Sequence, residues 1–364
     1  MHAICIPAFD DSDIRHGGVK RSNQIREVLS ESGFSFLTFP RTKEAALRLA
    51  FRYPHLFAFH VLAWLVRSIF LGLTLKGVFY LTAHAIFLHR ATRKGKPDLI
   101  ALELSAGHNM LIGRLIWEMR VPYICLPQNV EFLVPNQRTP YFRNARQSFE
   151  WEREAYRHAH MNFAISNFDA SVIASLGANA TVLWYYPIRS DAERFSRIST
   201  HRKCRGKSSF FLILGTVHNP PTRIGMEALL RSISSKPDIS FIVAGFGTEE
   251  LSRYESRNIQ ILGGVTDDIL DNLLRETEGV VISQIQTSGF LTRIVDLNLC
   301  SVPIYFVTQY LQGRNLEDHG VFFLENLDSL RLEPLAPPKA IQHFRRPSLD
   351  FSAFTEANII VCGQ

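Results

Sequence analysis

Apolar positions along the chain fall into two patterns. Short runs rich in β-branched and aromatic residues alternate with longer stretches in which apolar residues recur at helical spacing. The first pattern fits strands covered on both faces, the second fits amphipathic helices, and their alternation is the signature of βα units around parallel sheets. The pattern predicts strands over residues 2–7, 34–39, 98–103, 121–126, 161–165 and 181–185, with helical segments between them. A second series follows over residues 210–214, 239–244, 259–262, 280–283 and 302–306. The expected fold class is therefore α/β with two sheets. The length of 364 residues agrees, because single cores stop growing near ~250 to 300 residues.

Residues 188–209 separate the two series. They have almost no aliphatic content and carry eight Lys, Arg or His residues against two acids. This predicts a first domain over 1–187, a basic interdomain linker over 188–208, and a second domain with its tail over 209–364. A solvated basic loop within one domain is the other reading of the same residues. No internal repeat of solenoid length is visible.

The segment 45–97 departs from the rest. It holds eight Arg or Lys residues, no Asp or Glu, and dense apolar runs such as HLFAFHVLAWLVRSIFLGLTL. Arg67 and Lys76 interrupt it, so no uncharged stretch reaches the ~18 residues of a membrane-spanning helix. Two readings stay open here. The segment forms helices lying in an anionic membrane interface, which explains the missing acids, or it forms buried core helices, which explains the apolarity.

Composition narrows the rest. At 46% hydrophobic and 20% charged the chain can fill two cores and is not disordered. A formal charge of +6 suits nucleic acid, an anionic membrane or a phosphorylated small molecule. No nucleic-acid-binding motif accompanies it, so no nucleic-acid partner is expected. The five cysteines lie far apart without CxxC or metal spacing and read as reduced thiols. The opening MHAICIPAFDD meets acid before any apolar stretch of signal length. A cytoplasmic chain is the expectation, peripheral on the inner face of the cell membrane under the first of the two readings of 45–97.

Candidate chemistry gathers where strands give way to helices. Gly17 and Gly18 follow the first strand and open a helix, where glycine lets backbone approach a ligand and a helix N-terminus favours an anion. A tight turn without ligand explains them equally well. In the second series, three successive strands end in glycine: Gly215-Thr216, Gly245 with Gly247, and Gly263-Gly264 before Val265. Ligands of open α/β sheets bind outside the carboxyl ends of strands, so three such ends would build a crevice floor of backbone N–H groups. A fourth edge runs through Ser288 and Gly289 into a helix bearing Arg293 and Asp296. Arginine can hold a diphosphate and aspartate can accept hydrogen bonds from ribose hydroxyls. A surface ion pair three residues apart is the structural alternative.

Taken in order, these segments resemble the retaining family 4 (group 1) glycosyltransferases, and the likeness runs over most of residues 2–310. It rests on LGTVHNPP at 214–221, GFG at 245–247, LGGVTD at 262–267, and Ser288-Gly289-Phe290 through Arg293, Asp296 and Pro303. In the first half it rests on Gln128-Asn129-Val130-Glu131 and on EREAYRHAHMNFAIS at 152–166. Arg293 takes the family's lysine position and Asp296 its glutamate position. Gln128 stands where the family has a histidine, Gln286 or a neighbour where it has a glutamate, His160 where it has an aspartate, and Ser301 where it has a glycine.

The resemblance implies two Rossmann-like domains facing each other across a cleft, the GT-B arrangement. It also implies transfer of a sugar, with retention, from a UDP- or GDP-sugar to a cell-envelope glycan or lipid-linked acceptor. Gly215, Thr216, Gly245, Gly247, Val265, Ser288, Gly289, Arg293 and Asp296 would hold the donor. Gly17, Gly18, Asn129 and Glu131 would face the acceptor, and Arg293 and Gln128 would stand at the reaction. The donor is a substrate, and no metal or separate cofactor is expected. Glutamine cannot serve as general acid or base. The departures therefore keep a second class open, a catalytically weak partner subunit of the same fold that binds a protein or membrane surface.

Overall fold

A computed structural model of the chain describes residues 2–9, 17–38, 43–95, 97–105, 107–134, 139–204, 206, 208–234, 237–284, 288–307, 321–324 and 346–347. The chain forms two compact units. The first comprises Met1–Tyr185 with Ser288–Phe290 and Arg346–Gln364, and the second comprises Tyr186–Thr287 with Leu291–Arg345.

The first unit holds a six-stranded sheet. Its strands are β1 (His2–Ile6), β2 (Ser35–Thr38), β3 (Leu99–Leu104), β4 (Tyr123–Pro127), β5 (Met161–Ala164) and β6 (Ala180–Val182). They pair in the order β2-β1-β3-β4-β5-β6, all parallel, with Ile4 opposite both Leu37 and Ile100. The helices are α1 (Gly17–Glu31), α2 (Lys43–Arg52), α3 (Pro54–Leu71), α4 (Leu75–Lys94), α5 (Ile112–Glu118), α6 (Ala145–His158) and α7 (Asn167–Ser175). Every residue of β3 and β4 is buried, which is why these strands read as unbroken apolar runs. Near the end of the chain, Arg346 also belongs to this unit, with Nη2 2.9 Å from Glu27 and 2.5 Å from Glu31 on α1.

The second unit repeats the plan with α8 (Arg189–Lys203), β7 (Phe210–Leu214), α9 (Pro220–Ile233), β8 (Ser240–Ala244), β9 (Ile259–Gly263), α10 (Asp267–Glu276), β10 (Val280–Ile282), α11 (Thr292–Leu299), β11 (Ile304–Val307) and β12 (Val321–Leu324). Its parallel order is β12-β11-β10-β7-β8-β9. The core packs Phe211, Phe241 and Tyr305 with Leu229, Leu230 and Ile233 of α9. β12 was not foreseen from the sequence.

Three expectations change. The segment 188–208, expected as a linker, contains helix α8, which is part of the second unit. Its buried face is Phe195, Ile198 and Arg202. Arg202 Nη1 donates to the carbonyls of Leu274 (2.6 Å), Arg275 (3.3 Å) and Thr277 (2.8 Å), satisfying the orphan acceptors at the C-terminus of α10, where a cation also suits the helix dipole. The segment 45–97 splits: α4 is a core helix through Val78, Leu81, Ala85 and Leu88, whereas α3 buries only Trp64 and Ser68. By length and apolarity α3 could cross a membrane, but its C-terminal end is tied into the first unit, with Trp151 donating to the Leu71 carbonyl and, just beyond the helix, Thr74 N–H donating to the Tyr141 carbonyl. Finally, Ser288–Phe290 belongs to the first unit rather than to the second-series edge.

Candidate functional site

Each sheet reverses its strand order once, at β7/β10 in the second unit and at β1/β3 in the first. Such reversals open a crevice at the carboxyl ends of the strands, where α/β proteins bind ligands. Both switch points carry the residues singled out from sequence.

In the second unit β7 ends at Leu214, and Leu214, Gly215 and Thr216 are half-exposed. Arg293, in the first turn of α11, reaches across the switch point. Its Nη1 donates to the Leu214 carbonyl at the end of β7, and its Nη2 donates to Gln284 Oε1, just past β10, at 2.6 Å. Thr222 Oγ1 of α9 donates to the same Gln284 oxygen at 3.1 Å. Burial lowers the Arg293 pKa to about 10, which leaves the guanidinium charged at neutral pH. The structural alternative, a surface pair with Asp296, gives way to these contacts, and Asp296 itself is buried in α11.

The glycines around Arg293 are there because nothing larger fits. Gly245 has φ +137°, and a Cβ there would strike the carbonyl oxygen of Gly215. Gly247, at φ +80°, would press a Cβ against Val217 at 2.7 Å and the His218 ring at 3.1 Å. Gly225, within α9, would strike the Ser283 carbonyl, so glycine lets that helix close onto the end of β10. Val265 follows β9 and precedes Thr266, whose Oγ1 caps α10 by accepting from Ile269 N–H. The structure therefore brings Gly215, Thr216, Gly245, Gly247, Val265 and Arg293 to the carboxyl edge of one sheet.

Ser288 and Gly289 belong to the first unit. Ser288 Oγ donates to the Val130 carbonyl at 2.8 Å, and Gly289 N–H donates to both carboxylate oxygens of Asp169 at 3.1 Å, all within the first unit. Gly289 is left-handed at φ +84°, and a Cβ there would meet Asn129 Oδ1. Their expected place on the second sheet is corrected accordingly. Gln286 lies outside the described residues.

The first unit's switch point is built differently. Glu103, in β3, is fully buried, and its Oε2 accepts from Ala8 N–H at 2.9 Å, from Ser22 Oγ–H and from Gln128 Nε2 at 3.3 Å. Gln128 thus spends its amide on Glu103 and, at 3.4 Å, on Ser22. Burial raises the Glu103 carboxyl above its ordinary range, against the lowering effect of those hydrogen bonds and of nearby Arg26 and Arg21. Arg21 in α1 is also fully buried; Nη1 donates to Gln24 at 2.6 Å, whereas Nε and Nη2 have no hydrogen-bond partner. Burial lowers its pKa to about 9. Gly17 and Gly18 are the first residues of α1, half-buried.

The loop Gln128–Glu131 is fixed from below by Glu152 of α6. This buried carboxylate accepts from Glu131 N–H at 2.7 Å, Phe132 N–H at 3.0 Å and Tyr156 Oη–H at 2.8 Å. Burial pushes Glu152 up to about 7 despite these bonds. Asn129 donates to Glu131 Oε1 at 3.5 Å. Sequence reasoning placed the 128–131 and 152–166 segments separately; in the fold they are one device. It did not single out Glu103, Arg21 or Ser22. The signal available for Glu103 was an acid inside the unbroken apolar run LIALEL.

No family model matches the chain, and no curated protein matches it. Solved structures do. The chain is similar to the α,α-trehalose 6-phosphate synthase of Burkholderia multivorans, at 11% identity and a TM-score of 0.58 over 89% of this chain and 87% of that one. It is similar to HepE of Anabaena, solved with UDP and glucose, at 14% identity and a TM-score of 0.53 over 89% and 85%. It is also similar to the UDP-GlcNAc 2-epimerase of Methanocaldococcus jannaschii, at 11% identity and a TM-score of 0.51 over 100% and 99%. Likenesses at such identities establish the fold: two Rossmann-like α/β units of the kind found in GT-B proteins.

Proposed function

We propose that the chain is a retaining glycosyltransferase that moves a sugar from a UDP- or GDP-sugar to a cell-envelope glycan or lipid-linked acceptor. The observation that carries this reading is Arg293, a charged guanidinium bridging the β7 and β10 ends beside the half-exposed residues Leu214–Thr216. Negative charge grows on a nucleoside diphosphate as the sugar leaves. A fixed cation in a partly desolvated place, flanked by strand-end backbone, stabilises that charge more in the transition state than in the ground state. Gly215 and Thr216 are assigned to the diphosphate, Gly245, Gly247 and Val265 to the rest of the nucleotide, and Asp296 to the ribose. Gly17, Gly18, Asn129 and Glu131 are assigned to the acceptor. Gln128 acts by positioning, since an amide exchanges no proton at neutral pH.

The test is release of UDP or GDP from a panel of donor sugars by the full chain. Arg293→Ala should lower it by about 100-fold or more, and Arg293→Lys, which keeps the charge but loses the planar fork, by less. Nucleotide release unchanged in Arg293→Ala would remove Arg293 from the mechanism.

One observation favours a second reading, a catalytically weak partner subunit of the same fold. The side chain at the histidine position is an amide, already engaged by Glu103 and Ser22. Nucleotide binding without turnover, on any donor, would select it.

A further inference from the structure

Within the segment 45–97, α4 is taken into the first unit's core and α3 mostly is not. Along α3 the buried residues Trp64 and Ser68 mark one side of the helix. Phe59, Leu62, Val66, Ile69 and Phe70 recur at helical spacing on the other side and are between 59% and 85% exposed. Phe51 at the end of α2 and Leu75 at the start of α4 are exposed as well, at 82% and 78%. Large exposed apolar side chains in an unbroken stripe, rather than scattered singly, mark an interaction surface.

Charge says what covers it. Exposed Arg48 and Arg52 precede α3, exposed Lys76 and Arg93 follow it, and no acid occurs anywhere from 45 to 97. Arg67, on the flank of α3, is paired with Glu118 at 2.9 Å and lies over the Trp64 ring at 5.1 Å. Exposed cations before and after an apolar stripe, in a segment that carries no acid of its own, are the design of a helix lying in a lipid interface, with apolar side chains among the acyl ends and cations at anionic head groups.

We infer that α3 is a membrane-docking helix which lies flat in the surface of an anionic bilayer through Phe59, Leu62, Val66, Ile69 and Phe70. The inference stands apart from sugar transfer: it requires no donor and no turnover, and either reading can fail alone.

The test is flotation of the full chain with phosphatidylcholine vesicles, with and without phosphatidylglycerol. The protein should float with the anionic vesicles, float less with the neutral ones, and be partly released by high salt, which screens the basic rim. Leu62→Glu with Ile69→Glu changes two side chains outside the core, so the melting temperature should hold while the bound fraction falls at least tenfold. Wild-type protein left unbound by anionic vesicles would overturn the inference. So would equal flotation of the double variant. A lipid-free dimer that the double variant dissociates would overturn it too, by assigning the face to a second copy.

Discussion

The two sheets share a parallel architecture and a single reversal of strand order, yet their switch points are made of opposite materials. In the first unit the β1/β3 point is filled by a buried carboxyl, and Ala8, Ser22 and Gln128 all donate to the same oxygen of Glu103. In the second unit the β7/β10 point is spanned by a guanidinium beside the half-exposed strand-end residues Leu214–Thr216. The same topology therefore yields a buried carboxyl held by three donors in one case and a buried guanidinium, proposed above to meet an anion, in the other. Topology says where a ligand site can be; side chains decide whether it is one.

The comparison breaks most sharply at Glu103. Glu103→Ala leaves three donors without an acceptor in a sealed place and should cost about 3 to 5 kcal/mol, read by denaturant unfolding. Glu103→Gln retains one carbonyl oxygen for those donors and should cost less than about 1.5 kcal/mol, because burial already favours the uncharged carboxyl. Equal losses in both variants would show that the negative charge itself is required.

On the other side, Gly245→Ala forces an L side chain into φ +137° against the Gly215 carbonyl and should destabilise the second unit by about 2 kcal/mol or more. Gly33→Ala, also at positive φ but with open space around the added Cβ, should cost only the backbone strain, about 1 to 2 kcal/mol. If the two were equal, close packing at the second switch point would be discounted.

The smallest effect is a pH slope. Glu152 is raised in the fold from 4.5 to about 7, so the folded chain keeps a proton that the unfolded chain releases. Stability linked to it is full below about pH 4.5 and declines as pH rises through about 7. Glu152→Gln should flatten that slope, though not abolish it, since Glu103 is raised as well. The same variant should lower stability by about 1 to 3 kcal/mol, because one of the Glu131 and Phe132 N–H groups would face an amide donor. Melting temperatures across the pH range measure both at once.

Eleven of the strands were legible because parallel strands buried on both faces spell continuous apolar runs. Helix α8 was hidden because one of its three buried contacts is an arginine. Phe195, Ile198 and Arg202 keep helical spacing, but only two of them look like core. Ser301 reads as an ordinary serine, yet it sits at φ 55°, the left-handed conformation that explains the glycine of the family pattern, and its Oγ lies 2.6 Å from Ser199 Oγ. Arg293 was legible as a cation at a helix start. Its bridge to Leu214 and Gln284 was not, because the contacts join residues 79 and 9 positions away. Likewise the apolarity of 45–97 could not say which helix faces inward; partners distant in sequence, Tyr141 and Trp151 among them, decide that.

The central claim is that the second switch point holds a nucleotide diphosphate through Arg293. Thermal unfolding of the full chain with UDP, GDP, ADP, CMP and their sugars tests it most directly, because a ligand bound only by the folded state raises the melting temperature. The account predicts a rise with a uridine or guanosine diphosphate that is lost in Arg293→Ala and kept in Leu62→Glu with Ile69→Glu. No rise with any nucleotide, or a rise that survives Arg293→Ala undiminished, would contradict it.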